Sequence, residues 1–174
     1  MAKVSFNKLG LKVVNEPKEI TYNDQIIEIQ QYLPIETKLE IISNIVNNSA
    51  TDQKFYNKGK IEIYTTLEIL YNYTNIKFTD KQKEDICKLY DLMVSSGLYD
   101  IIITTIPKSE LEFIDKIVEN TIKNIYKYSN SAYGILDSIL NDYDNLNLNA
   151  SEIYQKLADS ENVEFLKEVM AKLG

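Results

Sequence analysis

Histidine, tryptophan and arginine are all missing from this 174-residue chain; its 19 basic residues are lysines, and it holds one cysteine, Cys87. Without histidine the usual general base near neutral pH is gone, and with it every Ser-His-Asp or Cys-His arrangement and every histidine-containing zinc site. One cysteine forms no internal disulfide and builds no cysteine-rich metal or iron–sulfur site, which suits a reducing compartment. Without arginine there is no planar fork to read guanine or clamp a phosphate, and a net charge of −7 with a pI near 4.7 argues against a duplex nucleic-acid partner. Five scattered glycines form neither a GxxxxGKS/T nor a GxGxxG loop. No apolar run approaches the roughly 18 residues of a membrane span, and MAKVSFNKLG lacks the apolar stretch of a signal peptide, so neither a membrane nor a secretory route is expected.

What remains is 44% hydrophobic and 26% charged, the balance of a chain that folds. The patterning predicts a mainly α protein: a helical bundle of about six helices with a small N-terminal strand and β-hairpin module. It forms a single domain over 1–174, with the strand-rich module at 1–31 and the helical part at 34–174. Lys3 to Phe6 and Leu11 to Val14 read as short strands around Gly10. Glu19 to Tyr22 faces Gln25 to Gln31 across Asn23-Asp24, a hairpin turn, with Ile27 and Ile29 on one face. Pro34 opens a helix with a stripe at Ile35, Leu39, Ile42 and Val46, and residues 47–59 read as a loop ending near Gly59. A second helix runs from Ile61 to Tyr73. A third is capped by Thr79 with Gln82 and carries Ile86, Leu89, Tyr90 and Met93 up to Gly97. Leu98 to Ile106 is a short helix stopped by Pro107. Ser109 with Glu112 caps a long helix whose stripe runs from Ile114 to Tyr128 and resumes towards Leu140 past a weak point at 129–131, with Gly134 as a bend. After a loop at 141–150, Ser151 and Ser160 start two more helices.

Few side-chain groupings carry chemistry. Asp137, Asp142, Asp144 and Glu152 suggest a calcium loop, but with Asp142 at its first position Leu146 and Asn147 occupy places that need an oxygen ligand and a glycine. A solvated loop explains them better, and no metal or cofactor is expected. Glu84 and Lys88 form a favourable helix pair rather than an acid–base couple. Cys87, beside the Ile86 and Tyr90 stripe, reads as a small buried or half-buried hydrophobe with no histidine to activate it. No catalytic kit remains, so the chain is read as a non-enzyme. Thirteen tyrosines and several wide apolar helix faces favour protein binding, because tyrosine gives a large amphipathic contact at low entropy cost.

The stretches QYLPIETKLEIISNIVNNS (31–49), YTNIKFTDKQKEDICKLYDLMVSSGL (73–98), KYSNSAYGILDSI (127–139) and DNLNLNASEIYQKLAD (144–159) resemble small morphogenesis proteins of tailed phages from low-GC Gram-positive hosts. The similarity runs over nearly the whole chain. Proteins of that kind are labelled tail assembly chaperones or minor virion structural proteins. The resemblance therefore implies a bacteriophage protein in the host cytoplasm during infection, or in the virion, with phage structural proteins as partners: a tape measure or tail tube, or neighbouring virion subunits. A chaperone shields the apolar stripes of a helical tape-measure-like partner; on physical grounds Tyr64, Tyr71, Tyr90 and Met93 are its candidate anchors. Two other readings stay open: a structural subunit (head-tail connector, neck or tail completion protein) whose N-terminal strands extend a neighbour's sheet, and an acidic anti-defence inhibitor of a host nuclease. The oligomeric state is left open too.

Overall fold

Asn23 and Asp24 take positive φ values of 47° and 60°, the backbone of a two-residue type I′ turn. They join β1 (Lys18–Tyr22) to β2 (Gln25–Ile29) in an antiparallel hairpin with Ile20 opposite Ile27 and Glu19 opposite Glu28. The computed structural model describes residues 3–51, 55–131 and 133–135, which fall in two compact units, Met1–Val118 and Glu119–Gly174. The protein is mainly helical, with this one small hairpin near the N-terminus among the described residues. As the alternation predicts, Ile27 and Ile29 are buried while Ile26 and Glu28 face out. No strand forms at Lys3 to Phe6 or Leu11 to Val14; a single 3-10 turn spans Phe6–Leu9 instead. Strand-prone residues need a neighbouring strand to satisfy their backbone, and this segment has none among the described residues.

In the first unit, α1 (Ile35–Ser49) buries Ile41, Ile42, Ile45 and Val46 against α2 (Lys58–Tyr73), which supplies Leu67, Ile69, Leu70 and Tyr73. The inward face of α1 is rotated from the expected stripe: Ile35 and Leu39 are about half exposed, and Lys38 points inward in their place. Asn57 caps α2, its side chain accepting the Lys60 N–H at 3.1 Å, so the helix starts early and Gly59 lies in its first turn rather than ending a loop. Between the two helices the half-buried Glu68 accepts from Asn44 at 3.2 Å and Asn72 at 3.1 Å; burial raises its carboxyl above the ordinary range against those hydrogen bonds.

The third helix expected from the sequence is two helices. Thr79 and Gln82 form the reciprocal capping box of α3 (Asp80–Glu84), but Asp85 leaves the helical region and its carboxylate caps the Lys88 N–H of α4 (Ile86–Ser95) at 3.2 Å. Aspartate binds free N–H groups at a helix start better than it fits a helix interior, and here it restarts the helix. Gly97, at φ 72°, closes α4 by donating to the Val94 carbonyl, and α5 (Leu98–Thr105) runs to Ile106 and Pro107. The long α6 (Lys108–Ser129) starts before Ser109, so that residue is not its cap. Glu112 pairs with Lys108 at 3.2 Å, and the Glu110 N–H bonds the Pro107 carbonyl.

In the second unit, α6 carries a Glu119–Lys123 pair at 2.7 Å and ends at Ser129. The chain turns helical again at Tyr133. Gly134 there passes so close to the Tyr128 carbonyl that an added Cβ would lie 2.1 Å from its oxygen. Close approach, rather than bending, demands glycine at that point. Ile139, Leu140, the 141–150 loop and the helices expected from Ser151 and Ser160 lie outside the described residues.

The first unit is tied through one carboxylate. Glu110 Oε1 accepts from Lys38 Nζ at 2.7 Å; Oε2 accepts from the Leu33 N–H at 3.2 Å and the Tyr73 hydroxyl at 3.1 Å. Lys38 Nζ also sits 4.2 Å from the Tyr32 ring centre and 5.5 Å from that of Phe113. Both charged residues are buried, and Tyr73 is fully so. Lys38→Met should cost about 3–5 kcal/mol in urea unfolding, since it strands a buried charge. Adding Glu110→Gln, which removes that charge but keeps an acceptor, should recover at least about 1 kcal/mol. A double variant as unstable as the sum of the singles would contradict the pairing.

Burial, then the Glu110 charge and hydrogen bond, push the Tyr73 phenol far above its ordinary value. A phenol that ionises less readily folded than unfolded contributes stability present in full below about pH 10 and lost as pH rises past the unfolded value. Melting temperatures should therefore fall above about pH 10. Tyr73→Phe should flatten part of that fall while costing about 1–2 kcal/mol at neutral pH. A variant whose melting falls as steeply as the parent's would contradict the assignment.

Candidate functional site

Because α3 and α4 meet at the Asp85 break, an open cleft of about 540 Å³ lies in their crook. Leu89 and Leu92 form its apolar lining, and Lys81, Glu84, Asp85 and Lys88 set charges of both signs around it. Leu89 is buried, whereas Leu92 is 57% exposed, so an apolar floor reaches open solvent. Lys83, from the same short α3, reaches across to α2: its Nζ lies 5.4 Å from the Tyr71 ring centre. Phe78, in the segment leading to α3, meets Tyr71 edge-on at 5.2 Å and 69°. Burial, then the nearby Glu68 and Tyr64, raise the Tyr71 phenol, which stays a neutral hydrogen-bond donor.

Tyr64 and Tyr71 stand seven residues apart on α2, two turns along one face, and both are half-buried, as is Tyr90 on α4. Met93 does not share their position. At 8% exposure it belongs to the core with Leu89, one turn away, and supports α4 from beneath. Met93 lies on the apolar stripe that the spacing predicts for this helix, Ile86, Leu89, Tyr90 and Met93, and that stripe is the side that faces inward. Cys87 is exposed, contrary to the expectation of a small buried or half-buried side chain: it lies two residues from Leu89, nearly opposite on the helix. Leu92, Phe78 and Lys83 were not singled out by the sequence.

The cleft combines an apolar floor with charges of both signs. The Glu110 carboxylate, the most enclosed acid among the described residues, has its oxygens committed to three donors and lines neither this cleft nor the depression beside the α5–α6 corner. No cluster of three or more histidine, cysteine, aspartate or glutamate side chains able to hold a metal occurs among the described residues; Asp137, Asp142, Asp144 and Glu152 lie outside them. Among the described residues no helix is long and apolar enough to cross a membrane. A second depression, of about 550 Å³, lies beside the α5–α6 corner among Ile103, Ile106, Pro107 and Leu111. Comparison of the chain with protein-family models, curated proteins and solved structures finds no match.

Cys87 lies within one turn of the cleft residues Asp85 and Lys88. A thiol reagent should label one site per native chain, at a rate within roughly tenfold of that in denaturant. A native chain that resists labelling would contradict the outward placement of Cys87.

Proposed function

We propose that this chain is a non-enzymatic protein-binding factor in tailed-phage virion assembly, acting as a tail assembly chaperone for a long helical, tape-measure-like phage protein in the host cytoplasm. The observation that carries the reading is the α3–α4 cleft: an apolar floor open to solvent, a rim of mixed charge and a half-buried aromatic pair at hand. An amphipathic helix presents the complement, with apolar side chains for Leu89 and Leu92 and flanking charges for Lys81, Lys88, Glu84 and Asp85. Tyr71 and Tyr90 serve as flanking contacts, Tyr64 extends the α2 face, and Met93 acts through the packing of α4. The resemblance of residues 31–49, 73–98, 127–139 and 144–159 to phage morphogenesis proteins supports the biological setting.

A second reading, a structural virion subunit, is favoured by the run of exposed apolar residues before β1. Affinity purification of a tagged copy from infected cells, set against the protein content of washed particles, separates the two. The chaperone reading expects recovery with a long helical phage protein and absence from particles; a fixed copy number in particles would replace it with the structural one. Tyr71→Ala and Leu92→Asp should each weaken partner recovery by roughly 5- to 30-fold. Undiminished recovery with both would remove the cleft as the site.

A further inference from the structure

Every residue from Lys3 to Glu19 is exposed, including six large apolar side chains, Val4, Phe6, Leu9, Leu11, Val13 and Val14, at 53–78%. A run of that kind in water marks an interaction surface rather than a finished one. The segment is also the basic part of an acidic protein. Residues 3–14 hold Lys3, Lys8 and Lys12, three positive charges and no acid, so that a chain of net charge −7 carries −10 outside them.

The hairpin offers what this segment lacks. β2 is covered along its far side, where Gln30 donates to the Tyr73 carbonyl at 2.8 Å, Asn75 donates to the Glu28 carbonyl at 3.3 Å, and Ile29 bridges Thr74. Among the described residues β1 has β2 as its one neighbour in the sheet, which leaves its outer edge open. On the outward face Glu19 stands directly opposite Glu28, a like-charge pair that destabilises a two-stranded sheet. On the inward face Ile20 and Tyr22 are only half covered. A strand made from residues 8–14 alternates as this edge requires: Leu9, Leu11 and Val13 on one side to cover Ile20 and Tyr22, Lys8 and Lys12 on the other to meet Glu19 and Glu28.

The chain's own arm is led away from that edge. The Asn15 side chain accepts from the Gln31 and Tyr32 N–H groups at 3.1 and 3.2 Å and donates to Gln30 at 2.6 Å, which fixes the root of the arm against the continuation of β2. Pro17 then holds Glu16 extended, so the three residues between arm and β1 favour a straight path over a reversal. We propose that residues 3–14 are a docking arm that adds as a third strand to the outer edge of β1 in a second copy of this chain. Reciprocal exchange closes a dimer, and one-way donation builds a ring or filament. The inference does not rest on the assembly-chaperone reading and uses a different surface.

Sedimentation of the full chain over a range of concentrations, together with carbodiimide cross-linking of mixed nitrogen-15-labelled and unlabelled copies, tests it. The expected result is concentration-dependent association that weakens in roughly 0.5 M salt. Mixed-isotope cross-links should join Lys8 or Lys12 to Glu19. Leu11→Asp should weaken association at least about tenfold with unchanged circular dichroism. Lys12→Glu should weaken it too, and mixing that variant with Glu19→Lys should restore association. Leu92→Asp, in the cleft, should leave it intact. A monomer at all concentrations, cross-links confined to single-isotope pairs, or association untouched by Leu11→Asp would overturn the proposal.

Discussion

A carboxylate and an ammonium taken out of water lose several kcal/mol of hydration each, and they stay buried only where other groups replace that water. Glu110 and Lys38 meet this condition by drawing on every layer of the first unit. Leu33 brings the exit of the hairpin, Tyr73 the end of α2, Tyr32 an aromatic face for the ammonium, and Glu110 itself the first turn of α6. These contacts span 77 residues of sequence, so the charge cannot be satisfied until hairpin, α1, α2 and α6 are in register. The apolar core around Ile29, Ile41, Ile45, Leu70 and Ile114 supplies the bulk of the burial. The ion pair selects one arrangement of it.

The same constraint explains what the sequence conceals. Local signals are enough for the hairpin, the Asn23-Asp24 turn, the Thr79–Gln82 box, the Gly97 stop and the helical character of the segments from α1 to α6, though not for the division of α3 from α4, because each depends on neighbours in sequence. The rotation of α1 is different. Lys38 takes an inward position that spacing assigns to apolar residues, and only the distant Glu110 makes that tolerable. The break at Asp85 is likewise hidden: aspartate in a run of good helix formers reads as solvated surface, and its capping of Lys88 starts a second helix. Tyr71 and Tyr90 are legible as half-exposed aromatics, and Met93 as a member of the inward stripe of α4. Cys87 is exposed where a buried or half-buried thiol is expected, and Leu92 emerges as a surface leucine. The N-terminal strands illustrate a third limit, since strand propensity is realised only when a partner strand exists.

Surface and interior divide the work between them. The interior commits its strongest polar groups to architecture, while the cleft between α3 and α4 presents an apolar floor with charges of both signs. The body is acidic, and the arm before β1 is basic and apolar. Under the two proposals, a helical partner at the cleft and a second copy at the hairpin edge would together give the properties an assembly factor needs.

The claim on which all of this rests is that the Glu110 cluster opens only when the first unit unfolds. Native-state hydrogen exchange at the Leu33 amide tests it most directly, because that N–H bonds a side chain 77 residues away rather than a helix or sheet neighbour. The cluster predicts that Leu33 exchanges through global unfolding, with the same opening free energy and denaturant dependence as the central amides of α1 and α2. Exchange of Leu33 by a local, denaturant-independent opening, as fast as the exposed amides before β1, would show that the carboxylate does not hold these elements together.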